Sequence, residues 1–347
     1  MSLQKTDEND ENIESKIETI DSVRSWYSAC RICPHACGVN RYKRKGFCGE
    51  DAQLRLAWAG LHFGEEPVLT AKGGSGVIFV TGCNLQCSFC QNYQISQEGL
   101  GRVVGETEFV EIALALQEAG AENINIVTGT HHAILLAYYI ERAKAQGLKL
   151  PIVWNTSSYE SQAIIRKLSK TVDIWLADIK TFSFKTAVGL FNTPDYVEVA
   201  KLAIETMAEQ TKLRFENAEN SNTEKAKLVS GLIVRHLALP DNLDDSYNLL
   251  KWFSEKLKNK SLLSLMTQYT PVEKNKKNCT IKAFENRLLN KNENETLRKF
   301  LENLEIDNGF YQELNPDYSW LPNFTKTQTF SSKLSTPIWH YTCGFIK

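Results

Sequence analysis

The stretch GSGVIFVTGCNLQCSFCQNYQIS, residues 74–96, joins an apolar run to a loop with three cysteines, Cys83, Cys87 and Cys90. Three is an unusual number, because a structural zinc site takes four protein ligands and disulfides use cysteines in pairs. Three thiolates on one tight loop suit an iron–sulfur cluster, for which thiolate is the preferred protein ligand. A four-iron cluster would then keep one iron open to an outside ligand.

Short apolar runs alternate with helical patterns from residue 75 onward. The segments 106–120 and 133–147 predict helices, and the second ends at Gly147. Near-continuous apolar strands that alternate with helices predict an α/β fold whose parallel sheet is covered on both faces. Periodicity leaves open whether this sheet is an incomplete barrel or doubly wound. The predicted strands are 75–82, 123–128, 151–156, 173–180, 230–239 and 262–269.

Polar residues stand at the carboxyl ends of the predicted strands, which is the edge where parallel α/β folds bind ligands. Any one of them alone would more often be a capping or ion-pairing side chain, but their coincidence on one edge predicts a ligand site. His131 or His132 could instead complete a zinc site with the three cysteines. The edge residues are Cys83, Thr128, His131, Asn155, Asp178, Lys180, Arg235, His236, Gln268 and Tyr269.

Four further cysteines precede this domain, at Cys30, Cys33, Cys37 and Cys48. Four thiolates make a complete ligand set for structural zinc or for a fully ligated second iron–sulfur cluster, and the spacing does not choose between them. The basic run RYKRK (41–45) within this segment is either a solvated loop or a docking site for a reductant or an acidic partner.

Composition narrows the class of protein. The 347 residues include 40 Lys and Arg against 41 Asp and Glu, so the formal net charge of −1 disfavours a nucleic-acid partner. The sequence contains no run of about 18 apolar residues, so we expect no membrane-spanning helix. The polar N-terminus argues against a signal peptide. Nine cysteines without an export signal point to a reducing compartment, so we expect a cytoplasmic, metal-binding protein.

We expect four regions along the chain. Residues 1–18 predict a disordered acidic tail, 19–70 a cysteine-rich metal-binding segment, 71–275 the α/β domain, and 276–347 an irregular C-terminal extension packed on that domain. Within the extension, residues 290–306 have the pattern of a surface helix. The pair Glu65 and Glu66, between the two cysteine sets, is a weak candidate for the entrance of the site.

The motif Cys83-x3-Cys87-x2-Cys90, with Phe89 before the last cysteine, resembles the signature of the radical S-adenosylmethionine (SAM) superfamily. This resemblance implies a [4Fe-4S] cluster whose open iron is chelated by SAM. It implies that one-electron reduction cleaves SAM to a 5′-deoxyadenosyl radical, which abstracts a hydrogen atom. Flavodoxin or ferredoxin would be a suitable one-electron reductant.

Further blocks resemble the PflX-type branch, whose members are similar to pyruvate formate-lyase activating enzyme. The resemblance implies a partial (β/α)6 barrel and, as substrate, a glycine in a partner glycyl-radical enzyme. Another peptide, an RNA base or a small molecule is the alternative target, and a non-catalytic iron–sulfur or zinc protein is a third hypothesis. The blocks are the opening stretch together with INIVTGTHH, WNTSSYE, WLADIK, VRHLALPDN and LMTQYTP.

The same resemblance assigns cofactor contacts. Asp178 and Lys180 match an Asp-x-Lys segment that contacts SAM in the activating enzymes, and Arg235 matches an arginine placed against SAM. Phe89 is expected to border the adenine. The segment Thr128-Gly129-Thr130-His131-His132 departs from the Gly-Gly-Glu-like segment that often binds the SAM amino group, so we assign Thr128 as the acceptor there. The two histidines either act directly on substrate or protons, or pack at a helix start.

Overall fold

The computed structural model describes residues 19–216, 226–272, 287–314 and 320–346. The expected acidic tail, residues 1–18, lies outside the described residues. The strands are β1 (Arg55–His62), β2 (Ser75–Val80), β3 (Arg102–Val103), β4 (Ile124–Val127), β5 (Ile152–Thr156), β6 (Ile174–Asp178), β7 (Arg214–Glu216), β8 (Lys227–Leu237), β9 (Leu262–Met266), β10 (Gly309–Tyr311), β11 (Ser335–His340) and β12 (Gly344–Phe345). The α-helices are α1 (Ile20–Ser25), α2 (Pro67–Thr70), α3 (Tyr93–Ser96), α4 (Glu106–Glu118), α5 (Ala133–Ala145), α6 (Gln162–Leu168), α7 (Phe184–Phe191), α8 (Tyr196–Gln210), α9 (Leu243–Lys256) and α10 (Lys291–Asn303).

One large sheet organises the molecule, with strands in the order β10-β9-β8-β6-β5-β4-β2-β1-β11-β12. All neighbours from β10 to β2 are parallel. The six strands predicted from sequence are therefore confirmed as β2, β4, β5, β6, β8 and β9, and β10 adds a seventh. Their spatial order follows the chain order, whereas a doubly wound sheet reverses its order at a switch point. The sheet is thus a partial barrel that does not close.

Alternate residues of the parallel strands face two different cores, as strand geometry requires. Trp154 and Trp175 point to the side where the α-helices pack. Val153 and Ile174 point to the concave side, where they meet Leu69 of α2. The short helix α2 therefore covers part of the barrel interior.

An antiparallel layer extends the sheet beyond β2. β1 pairs with β2 and also with β11, so that Ala59 stands opposite Trp339. The expected irregular extension therefore contains strands β10, β11 and β12. β10 pairs with β9 and β11 pairs with β1, both far away in sequence, whereas β12 pairs with the adjacent β11. The surface helix predicted at 290–306 is confirmed as α10.

Glycine is required at the turn that follows β2. Gly82 has φ +85°, and a Cβ there would lie 2.4 Å from Glu50 Cγ and 2.9 Å from the Cys48 carbonyl oxygen. This close approach brings the chain from β2 directly against the cysteine-rich segment that precedes β1. No helix in the described part of the chain is long and apolar enough to cross a membrane.

Candidate active site

The cysteine loop, residues 82–90, follows β2 at the carboxyl edge of the parallel sheet. Cys83 and Cys87 are buried and Cys90 is half-buried. The Cys90 amide donates to the Cys87 carbonyl at 3.1 Å, and the Leu85 amide donates to Cys83 Sγ at 3.3 Å. These bonds fix a tight turn that presents the three thiols.

The electrostatics of the cysteine loop oppose free thiolates. Burial raises the pKa of Cys83, Cys87 and Cys90, and repulsion between neighbouring thiolates raises the pKa of Cys83 and Cys87 further. The charge of the Lys180 ammonium lowers the pKa of all three thiols. A bound metal centre would supply the additional positive charge that the thiolates need.

Asp178 and Arg235 are direct partners in the pairing of β6 with β8. Asp178 accepts from Arg235 Nε at 2.6 Å and from Lys180 Nζ at 2.9 Å, one bond on each carboxylate oxygen. Burial alone would raise the pKa of Asp178, but Arg235 and Lys180 outweigh it and bring that pKa below its usual value. The structure thus brings three predicted site residues together as one charged group beside the cysteine loop.

The remaining nitrogens of Arg235 are also engaged. Its Nη2 donates to Asn155 Oδ1 at 2.7 Å, and its Nη1 pairs with Glu65 Oε2 at 3.1 Å. Glu65 also accepts from Asn125 of β4, at 3.4 Å. Glu65 therefore extends the polar group across the barrel interior instead of standing alone at an entrance. In the sequence, the only sign of this role of Glu65 was the pair of acidic residues before Pro67.

Aromatic side chains form the other wall of the site. Phe89 packs against Phe191 of α7 and Tyr269 after β9, with ring centroids 6.2 Å apart in both pairs. The Tyr196 hydroxyl accepts from the Lys180 amide at 3.0 Å and donates to the Ser157 carbonyl at 3.0 Å. Sequence reasoning missed Tyr196, since it belongs to the first turn of α8 and follows no strand.

Thr128 adopts φ +62°, a backbone conformation that is strained for a β-branched residue. Its amide donates to the Asn155 carbonyl at 2.9 Å, which ties the end of β4 to the end of β5. The neighbouring Thr130 hydroxyl donates to Glu160 at 2.7 Å. The strained turn stands where the sequence departs from the Gly-Gly-Glu-like segment.

His131 and His132 are buried at the start of α5. His131 Nε2 donates to the Thr81 carbonyl at 2.8 Å, and burial together with nearby Arg41 lowers the pKa of His131 to about 3. His132 accepts from Arg41 at 3.1 Å through Nε2, so its neutral ring donates to the Tyr27 hydroxyl at 2.9 Å through Nδ1. Both histidines therefore make packing contacts at the helix start, which was one of the two alternatives that the sequence left open.

The four upstream cysteines lie in the segment between α1 and β1. Cys30, Cys33 and Cys48 are buried, and Cys37 is half-buried. Among the described residues, no three histidine, cysteine, aspartate or glutamate side chains are arranged around a position for a single metal ion.

Comparison with known proteins identifies the domain that carries the cysteine loop. Residues 77–212 match the model of the radical SAM superfamily. These residues form a radical SAM domain. The chain is also 26% identical over 264 residues to "Uncharacterized protein MJ0674" of Methanocaldococcus jannaschii, which spans 74% of this chain and 70% of that protein.

The radical SAM domain also has distant likenesses among solved structures. SuiB of Streptococcus suis bound to S-adenosylmethionine is 13% identical, with a TM-score of 0.45, over 67% of this chain and 49% of SuiB. SuiB bound to its precursor peptide SuiA is 10% identical, with a TM-score of 0.45, over 67% of this chain and 47% of SuiB. The chain spans about half the length of these structures.

Buried polar atoms around the radical SAM loop fit a polar ligand. Asn84 Oδ1, Ser88 Oγ and Ser157 Oγ are buried and have no hydrogen-bond partner among the described residues. Buried polar atoms in native proteins are nearly always paired, so such a group indicates a site for a bound molecule. The donor set of three thiols, one ammonium and these unpaired oxygens suits an iron–sulfur cluster with a zwitterionic cofactor.

Proposed function

We propose that this protein is a radical SAM enzyme in which Cys83, Cys87 and Cys90 hold a [4Fe-4S] cluster. The proposal rests on one observation: the three thiols follow β2 and the Asp178–Lys180 pair stands at the end of β6, so both lie at the carboxyl edge of the parallel sheet in a radical SAM domain. Bound there, the cluster and SAM supply one-electron chemistry that ends in abstraction of a hydrogen atom. A non-catalytic metal protein would not require that charged pair at the edge of the sheet where parallel α/β folds bind ligands.

The side chains around the loop have separable tasks in this proposal. Lys180 stabilises the anionic form of the thiolates, since its ammonium lowers the pKa of each thiol. Asp178 accepts hydrogen bonds from SAM, and Arg235 holds that carboxylate in place through a bond of 2.6 Å. Phe89 borders the adenine and, with Tyr269, excludes water from the reacting groups.

Thr128 is proposed to accept from the amino group of SAM. Thr128 directly follows β4, on the edge of the sheet where the cysteine loop also lies, and its backbone is strained. Strained conformations persist where the surrounding structure fixes them, and they cluster at binding sites.

We propose further that the hydrogen atom is abstracted from a glycine in a glycyl-radical enzyme. Blocks along most of the chain resemble pyruvate formate-lyase activating enzyme and the PflX-type branch. Glycine has no side chain, so a reacting group can approach its Cα closely. The near-balanced charge of the chain disfavours an RNA target.

A one-electron reductant such as flavodoxin or ferredoxin is the proposed partner for reduction. Exposed Lys43, Arg44 and Lys45 lie beside Cys48 and would attract an acidic electron carrier. We also propose a second metal at Cys30, Cys33, Cys37 and Cys48, either zinc or an iron–sulfur cluster. The proposed location is the cytoplasm, where reducing conditions keep thiols free.

SAM cleavage tests the proposed chemistry. Anaerobically reconstituted protein, given dithionite and SAM, should release 5′-deoxyadenosine, and Cys87→Ala should abolish the release. Cys343→Ala removes an exposed cysteine far along the chain and should behave as wild type. A wild-type protein with a fully assembled cluster that releases no 5′-deoxyadenosine would refute the enzyme proposal.

The target requires its own test. A glycyl-radical enzyme encoded in the same genome, incubated with the reduced protein and SAM, should develop the electron paramagnetic resonance signal of a glycyl radical. SAM cleavage without that signal would move the target to another peptide or a small molecule.

A further inference from the structure

The acid pair Glu65–Glu66 lies directly before α2 and is held inside the barrel with it. The Asn123 side-chain amide donates to the Leu69 carbonyl of α2 at 2.8 Å, which fixes this short helix among the parallel strands. The Glu66 carbonyl accepts from the Leu69 amide at 2.8 Å, yet the Glu66 side chain makes no capping bond. The fold therefore places the Glu66 carboxylate in the interior without using it at the helix start.

Polar side chains from three strands meet this acid pair. Asn125 of β4 donates to Glu65 Oε1 at 3.4 Å, and Arg235 of β8 pairs with Glu65 Oε2 at 3.1 Å. Ser264 of β9 stands opposite Arg235 in the parallel pairing. Burial raises the pKa of Glu66, and Arg235 and a hydrogen bond from Ser264 oppose that rise. Both carboxylates thus belong to one polar group inside the barrel.

Two acceptor atoms of this polar group, Glu66 Oε2 and Asn125 Oδ1, have no hydrogen-bond partner among the described residues. Glu66 is 8% exposed and Asn125 is fully buried. Turning the Asn125 amide over would not help, because its Nδ2 already donates to Glu65 at 3.4 Å and to Ser75 Oγ at 3.2 Å. Buried polar atoms in native proteins are nearly always paired, so these two acceptors indicate a bound donor.

The charges of the polar group indicate that this donor is a cation. Lys180 and Arg235 both pair with Asp178, and Arg235 also pairs with Glu65. Glu66 has no ion pair within the described part of the chain. A buried carboxylate is costly unless a positive charge or hydrogen-bond donors compensate it. An ammonium or a guanidinium would do both, since it would pair with Glu66 and donate to Asn125.

The two unpaired acceptors lie deeper in the barrel than the edge where SAM is proposed to bind. Asn125 stands two residues before the last residue of β4, so it lies about 7 Å below that edge. Thr128, the proposed partner of the SAM amino group, directly follows β4. The cation at Asn125 is therefore assigned to the substrate, whose reacting carbon has to lie beside SAM.

We infer that Glu66, with Glu65 and Asn125, binds a cationic group of the substrate inside the barrel. This group is an ammonium or a guanidinium, carried either by a basic side chain near the target glycine or by a small amine. The inference rests on the proposed function, because the substrate is the molecule from which the hydrogen atom is abstracted. It narrows the substrate class to molecules with a positive charge close to the reacting carbon.

Binding of simple cations to the full-length, anaerobically reconstituted protein with SAM present tests this site. In saturation-transfer NMR titrations, butylammonium and butylguanidinium should bind about 10-fold more tightly than neutral butanol, because only the cations pair with a buried carboxylate. Acetyl-Gly-Lys-Gly-amide and acetyl-Gly-Arg-Gly-amide separate the two sources. Tighter binding of a peptide than of the matching small cation indicates a peptide substrate, and equal binding indicates a small amine.

Glu66→Gln keeps the size of the side chain and removes its charge, so it should weaken butylammonium binding about 10-fold. Glu111→Gln changes an exposed acid of α4, and as the matched control it should bind the cations as wild type does. Circular dichroism checks that both variants are folded. The comparison of butylammonium with butanol in the wild type needs no variant.

A wild type that binds butanol as tightly as butylammonium would overturn the cation site and leave its acceptors to buried water. A folded Glu66→Gln protein that keeps its affinity for the cations would overturn it too, and so would one that loses affinity for SAM alone. These titrations need no turnover. Absence of SAM cleavage would therefore refute the proposed function, while the cation site would be decided by the titrations themselves.

Discussion

At the scale of residues, the buried ion group around Asp178 decides how the site is held. Asp178 balances two cations, Lys180 at 2.9 Å and Arg235 at 2.6 Å, and each of the three side chains is at most one-fifth exposed. Buried charges of this kind are strongly destabilising when one partner is removed, because the other charge stays without compensation. The group therefore couples stability to the geometry of the cofactor site.

Asp178→Asn should lower the free energy of unfolding by roughly 3 kcal/mol at neutral pH, since Lys180 loses its carboxylate partner and Arg235 keeps only Glu65 among the described acids. The folded-state pKa of Asp178 is below its usual value. Its contribution is therefore present above the unfolded pKa, near 4, and is lost as pH falls further. Urea unfolding at pH 7 and at pH 3 measures the free energy of unfolding of the variant and of the wild type. The difference between variant and wild type should shrink at pH 3, whereas exposed Asp307→Asn should change little at either pH. A difference under 0.5 kcal/mol at pH 7 would mean that Asp178 does not stabilise the two cations.

The sequence predicted the ion group because its members stand close to the carboxyl ends of strands: Asp178 is the last residue of β6, and Arg235 lies two residues before the end of β8. It gave little sign of Asn125 and Tyr196, which come from inside β4 and from a helix start. Their roles depend on which side of the barrel they face, and a local pattern does not contain that information. The buried histidines were ambiguous for the same reason.

At the scale of elements, α10 shows how local chemistry defines a helix start. Asn290 accepts from the Glu293 amide at 3.0 Å, and Glu293 accepts from the Asn290 amide at 2.9 Å, which completes a capping box. Burial opposes ionisation of Glu293, but hydrogen bonds from Arg287 and from the Asp241 and Asn290 amides bring the pKa of Glu293 to about 2. The same carboxylate thus joins α10 to the loop before α9.

Glu293→Gln should destabilise the protein by about 2 kcal/mol at pH 7, because a charged acceptor of several hydrogen bonds is lost. The stabilising contribution is present above the ordinary pKa of 4.5 and is lost as pH falls towards 2. Thermal unfolding across this window should show the two proteins converging at low pH. Glu295→Gln, on the exposed face of the same helix, is the matched control. A gap between Glu293→Gln and wild type that stays constant down to pH 2 would be the contrary result.

The strands divide into those that sequence predicted and those that it missed. The six parallel strands are buried on both faces, so each is a run of apolar residues that can be recognised alone. β1 pairs with β11, and the residues that stand opposite each other in this pair lie more than 250 positions apart in the sequence. Pairing over such a separation leaves no local signature, and the short β12 has none either.

At the scale of the whole molecule, the C-terminal extension completes the sheet. Trp339 of β11 is fully buried, donates to Glu108 of α4 at 2.9 Å and has the Arg102 guanidinium 5.0 Å from its ring centre. Strand β11 is therefore packed against α4, the helix that follows β3. The extension belongs to the core of the fold.

Trp339→Ala should cost roughly 3–5 kcal/mol, as expected for a large side chain removed from a core. Denaturant unfolding followed by tryptophan fluorescence and by circular dichroism should still give coincident transitions, since the strand unfolds with the sheet. Phe345→Ala in β12 removes a side chain that is 42% exposed and should cost much less. A loss below 1 kcal/mol in Trp339→Ala would mean that the extension is an independent attachment.

We propose that the three cysteines on one loop leave one position of their cluster open to SAM. Electron paramagnetic resonance of the anaerobically reduced protein tests it directly, with spectra recorded before and after SAM is added. We expect a reduced [4Fe-4S] signal whose shape changes when SAM binds, and no such signal in Cys87→Ala. A wild-type cluster whose spectrum is identical with and without saturating SAM would contradict the claim.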